Sequence, residues 1–134
     1  MVSITGQYSG ELHCQATHGP SGSALQTDAP KDNQGRGEAF SPTDLVATAL
    51  ATCAVTTLAI AARRQGVELG PVPYEVTKEM TDAPRTIGRL TLRLKLPAEA
   101  RKLPEGFVRT TIENCPVSRS LATTVQKVFV LGWA

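Results

Sequence analysis

The chain has 134 residues and a formal net charge of +2; 41% of its residues are hydrophobic and only 4% are aromatic. That length suits one domain, residues 1–134, with a core drawn mainly from Leu, Val, Ile and Ala. So small a charge, on Lys and Arg scattered without a stripe, argues against a nucleic-acid partner, and so lean a core favours oligomerisation.

Residues 2–17 read as extended, with Leu12, Cys14 and Ala16 alternating against Glu11, His13, Gln15 and Thr17. The run His18-Gly19-Pro20-Ser21-Gly22 marks a turn, and Ser23 to Thr27 reads as the returning strand. Residues 28–38 hold two glycines, one proline and five charged side chains, the composition of an exposed loop.

A long helix is expected from Ser41 to Arg64. Ser41 suits the N-cap, Pro42 the first turn, and Asp44 a capping-box spacing. Arg63 and Arg64 match the last turn, and Gly66 ends it. Leu45 to Ala62 carries no charge, which raises the question of a membrane span. Its four threonines and many alanines instead favour a helix lying between layers of a soluble core, so no membrane partner is expected.

Val72, Tyr74, Val76 and Met80 alternate with polar neighbours, and Asp82-Ala83-Pro84 turns the chain. Leu90, Leu92, Leu94 and Leu96 then line one face of a return strand, with Arg89, Arg93 and Lys95 on the wet face. A short helix from Pro104 to about Glu113, a helical turn after Cys115 and a strand over residues 125–131 complete an α+β arrangement.

Three cysteines carry the chemical interest. Cys14 reads as a small packed thiol on a strand face. His13, Cys14, His18, Cys53 and Cys115 show no short paired spacing, so no metal site is expected. Cys53 lies mid-helix, whereas Cys115 lies in Asn114-Cys115-Pro116-Val117-Ser118, where Pro116 favours helix entry. The helix start should favour the Cys115 thiolate, with Ser118 or Ser120 as hydroxyl donors. A buried thiol at Cys53 and a polarised one at Cys115, if they meet, make a redox pair. Met1-Val2-Ser3-Ile4 lacks the basic and apolar regions of a signal peptide, so a reducing cytoplasm is expected, where such pairs are more often catalytic than structural.

The run Phe40-Ser41-Pro42-Thr43-Asp44-Leu45, the later Cys53 and the distant Asn114-Cys115-Pro116-Val117-Ser118-Arg119-Ser120 resemble the OsmC/Ohr family. These are osmotically inducible and organic-hydroperoxide-resistance proteins, and the resemblance covers nearly the whole chain. It implies antiparallel sheets wrapped around a long buried central helix in an intertwined homodimer. The implied activity is a cofactor-free thiol peroxidase that reduces organic hydroperoxides to alcohols. By motif, Cys53 is peroxidatic and Cys115 resolves it as a Cys53–Cys115 disulfide, recycled by a lipoyl-type dithiol.

Departures from the family pattern matter equally. The family glutamate that follows the helix-start proline is Thr43 here, and Asp44 points about 100° away on an ideal helix. The first-turn arginine of some members is also missing between His18 and Gly22, which leaves Arg36 and Glu38 as the nearest thiolate-activating candidates. These departures favour the alternative of an OsmC-fold small-molecule binding protein without efficient turnover; a redox sensor is the further alternative, ranked last because no output domain accompanies the fold.

Overall fold

The computed structural model describes residues 1–134, which fall into two compact units, Met1–Val46 and Ala47–Ala134. The first unit is an antiparallel meander of β1 (Ile4–Tyr8), β2 (His13–His18) and β3 (Ala24–Asp28). Its register pairs Tyr8 with Cys14 and His13 with Asp28. The single extended segment expected over residues 2–17 is therefore two strands. Gly10, Glu11 and Leu12 all adopt positive φ (86°, 55° and 58°), turning the chain back on itself. Leu12 belongs to that turn and is exposed, so its apparent alternation with Cys14 and Ala16 was a coincidence of spacing.

After β3 the chain closes a tight loop around a 3-10 turn at Lys31–Asn33. The Gly35 and Gly37 amides donate to the carbonyls of Pro30 and Ala29, at 2.9 and 3.2 Å. A Cβ at Gly35 would strike the Ala29 carbonyl oxygen, which explains glycine there.

Helix α1 (Pro42–Arg64) begins in the first unit and continues into the second. Its start is a reciprocal cap: the Asp44 amide donates to Ser41 Oγ at 3.1 Å, and the Ser41 amide to Asp44 Oδ2 at 2.9 Å. Arg63 and Arg64 occupy the last turn, and Gly66 follows with φ of 77°.

In the second unit β4 (Tyr74–Met80), β5 (Ile87–Leu96) and β6 (Gln126–Trp133) form a sheet in that order. β4 and β5 make the expected hairpin. β5 and β6 run parallel, so this sheet is mixed rather than wholly antiparallel. A 3-10 segment at Ala98–Lys102, then α2 (Phe107–Glu113) and α3 (Pro116–Ser120), form the crossover between the parallel strands. Leu90, Leu92, Leu94 and Leu96 all point into the core, against Leu50, Ala54 and Leu58 of α1 and Val108 and Ile112 of α2. Arg89, Arg93 and Lys95 line the open face, as their alternation predicts.

Helix α1 is buried at Ala47, Leu50, Ala51, Ala54, Leu58 and Ala62, the spacing of one helical stripe. The chain alone does not cover the opposite side: Thr52, Thr56, Ala59 and Ile60 are exposed. By length and composition α1 would pass as a membrane span, but core helices of soluble proteins pass the same test.

Candidate active site

Cys53 lies half-buried midway along α1, packed against the core of the second unit, and Cys115 is fully buried within that core. Both are free thiols. The alanines around Cys53 leave room for its neighbours, and one turn later Thr57 Oγ1 stands 3.9 Å from Cys53 Sγ. Sequence reasoning passed over Thr57, although a residue four positions on shares the helix face and was the available signal.

Cys115 is the N-cap of α3 with Pro116 in its first turn, as the local sequence predicts. Its carbonyl accepts from the Arg119 amide at 3.0 Å. The electrostatics differ from expectation. Burial pushes the Cys115 thiol above its ordinary value; the amides of Ser118 and Val117 pull the other way, and the neighbouring Cys53 side chain adds to the rise. Desolvation outweighs the helix start, so Cys115 is held as a thiol rather than polarised toward thiolate. The serine hydroxyls do not help it: Ser118 Oγ donates to the Glu113 carbonyl and Ser120 Oγ to the Pro116 carbonyl, each at 2.8 Å. Lys127 Nζ donates to the Ser118 carbonyl at 2.6 Å and ties α3 to β6.

The structure thus brings Cys53 and Cys115 together, close enough for the Cys53 side chain to act on the Cys115 thiol. It separately brings together Arg36 and Glu38, within the first unit. Arg36 Nη1 is 4.0 Å from Glu38 Oε2, and its Nη2 is 3.6 Å from Asp28 Oδ1. Asp28, whose surrounding composition predicts an exposed loop, is only 2% exposed and organises this cluster. It meets His13 Nδ1 at 2.6 Å and accepts from the Glu38 amide at 3.1 Å. The bond to His13 holds the Asp28 carboxyl below its usual range, against the opposing effect of burial, and Arg36 adds to the lowering. Nothing in the linear pattern announced Asp28, because its partners lie on a paired strand and at the far end of the loop. Asp44, at the position next to the missing family glutamate, is engaged in capping α1. No cluster of metal-ligating side chains is present, and Cys14 sits half-buried in β2 of the first unit.

Two small sheets, a long helix carrying one cysteine and a capped short helix presenting a second define an α+β protein with a paired-thiol centre. The chain belongs to the OsmC-like protein family, whose pattern it matches over residues 35–128. A structure from Psychrobacter arcticus, described as a proposed osmotic stress induced and detoxification response protein, is 34% identical. It has a TM-score of 0.88 and aligns over 98% of this chain and 96% of its own. An OsmC-like protein from Mycoplasma pneumoniae shares the fold at 15% identity, with TM-score 0.78 over 100% of this chain and 97% of its own. A proposed organic hydroperoxide resistance protein from Vibrio cholerae, carrying captopril in one of its active sites, shares it at 19% identity. Its TM-score is 0.77, over 98% of this chain and 90% of its own. No curated protein matches the chain.

Proposed function

We propose that this chain is a thiol peroxidase that reduces organic hydroperoxides to alcohols, with Cys53 peroxidatic and Cys115 resolving. The observation that carries the reading is the meeting of these two thiols in the core of one unit, in a family with members named for organic hydroperoxide resistance.

The Cys53 thiolate attacks the distal peroxide oxygen, the O–O bond breaks, and the alkoxide takes a proton to leave as an alcohol. Cys53 is then a sulfenic acid. The Cys115 sulfur attacks the Cys53 sulfur, water leaves, and a Cys53–Cys115 disulfide remains. A lipoyl-type dithiol reduces that disulfide through a mixed disulfide, returning both thiols and becoming oxidised itself. No cofactor enters the cycle.

The environment of Cys115 gives this sequence an order. A charged Cys53 opposes ionisation of Cys115, so the two are not thiolates together. Oxidation of Cys53 removes that opposing charge, which leaves burial as what holds the Cys115 thiol up and the amides of Ser118 and Val117 as the groups that pull it down. Thr57 is placed to donate its hydroxyl to the Cys53 thiolate. Arg36 and Glu38 remain the thiolate-activating candidates of this reading, a cation and a carboxylate that lie together within the first unit.

A homodimer in the cytoplasm is the assembly we infer. The meander of the first unit buries almost nothing on its own: Ile4 is 66% and Tyr8 62% exposed, and Phe40, in the loop before α1, is 54% exposed. The open stripe of α1 through Thr52, Thr56 and Ile60 makes the same demand.

The test is consumption of cumene hydroperoxide by the purified protein with dihydrolipoamide, alongside Cys53→Ser and Cys115→Ser. Turnover lost in both variants is the expected result. Absence of turnover, with both thiols still reduced after peroxide treatment, sinks the peroxidase reading and returns the chain to the ligand-binding class.

A further inference from the structure

A second site lies in the Ala47–Ala134 unit, and neither cysteine contributes to it. A cavity of about 600 Å³ opens between the end of β5, the 3-10 segment, the start of α2 and the end of β6. Its apolar surface comes from Leu96, Leu103, Val108 and Leu131, and the volume falls in the range of small-molecule sites.

Two arginines and the chain's single tryptophan complete it. The Arg101 guanidinium stacks on the Trp133 ring at 4.0 Å from the centroid, and both residues line the cavity. Stacking occupies the face of a guanidinium and leaves its in-plane N–H donors available. No carboxylate of the chain pairs with Arg101, so those donors face solvent or a ligand. Arg109, which also lines the cavity, is already engaged with Glu113 and with the Phe129 carbonyl, both at 3.2 Å. It adds positive potential without adding an open fork. Glu105 also lines the cavity, and its carboxylate repels a doubly charged ligand.

We propose that this cavity binds a small amphipathic monocarboxylate, its chain against the leucines and its carboxylate on the in-plane donors of Arg101. A planar carboxylate matches the arginine fork with two parallel hydrogen bonds, whereas a neutral alcohol of the same length offers one weak acceptor. The site rests on residues outside the thiol centre, so it stands or falls apart from the peroxidase reading.

Trp133 supplies the readout. The intact protein is titrated with decanoate, with decanol and decyl phosphate as comparators, while Trp133 fluorescence and calorimetric heat are followed. The expected result is saturable decanoate binding, weaker binding of decyl phosphate and weaker still of decanol. Arg101→Gln, an exposed position where the fold tolerates change, should weaken decanoate about tenfold, the scale of a charge-assisted hydrogen bond. Cys53→Ser should leave the affinity unchanged. No saturable binding, equal binding of decanol, or full decanoate affinity in folded Arg101→Gln would each overturn the proposal.

Discussion

The two units of this chain are stabilised by opposite means. Residues 47–134 close a continuous aliphatic core in which Leu50, Leu58, Leu90, Leu92, Leu96 and Ile112 are wholly shielded from water. Residues 1–46 bury almost no apolar side chain; what they bury is Asp28 and Ser41, one holding a cluster of charges and the other a helix cap. The difference teaches that order in the first unit comes from directed polar contacts and from whatever covers its exposed meander. The second unit is held mainly by non-directional burial, with the stripe of α1 through Thr52, Thr56 and Ile60 left open.

The largest expected effect breaks the apolar side of this comparison. Leu92→Ala removes a fully buried side chain from β5 and should cost about 2–5 kcal/mol in denaturant unfolding, with the slope unchanged. Ser41→Ala removes half of a reciprocal cap and should cost about 1 kcal/mol, with Ser41→Gly milder. Asp28→Asn keeps the shape of the side chain but loses its charge toward His13 and Arg36. Faster proteolysis of residues 29–40, with the β4–β5 hairpin still protected, is the outcome anticipated. Ile4→Ala should scarcely change monomer unfolding, since the side chain is exposed there, yet should raise the dissociation constant of the inferred homodimer in sedimentation.

pH sharpens the same contrast from both ends. The folded carboxyl of Asp28 titrates below its unfolded value, so its contribution is present above pH about 4 and lost as acid passes the depressed value. Cys115 is shifted the other way. Its contribution is complete below the unfolded thiol value of about 8.5 and is lost as the pH climbs through the raised one. Hydrogen exchange should therefore show the meander loosening first in acid and the core weakening in alkali. Simultaneous loosening of both at either extreme would contradict the division.

What could be read from the sequence follows the range of each interaction. Helix α1 was legible at both ends because its cap joins residues three apart and its stop is a single glycine. The leucines of β5 were legible because a strand exposes its period directly. The expected Cys53 and Cys115 meet, but Cys115 is held as a thiol where its helix start suggests a thiolate: the sequence shows a helix start but not the depth at which it lies. The parallel pairing of β6, the turn at Gly10 to Leu12 and the role of Asp28 stayed hidden because each depends on partners that only the fold assembles.

The anchoring of α3 has a consequence for motion. Ser118 is fastened to the Glu113 carbonyl through its hydroxyl and to Lys127 through its own carbonyl, so the turn bearing Cys115 is braced on both sides. On the proposed cycle, the Cys53–Cys115 disulfide would then close by side-chain rotation rather than by melting the helix that carries Cys115. Closing and reopening that disulfide should leave the amides of α3 exchanging at the same slow rate in both redox forms.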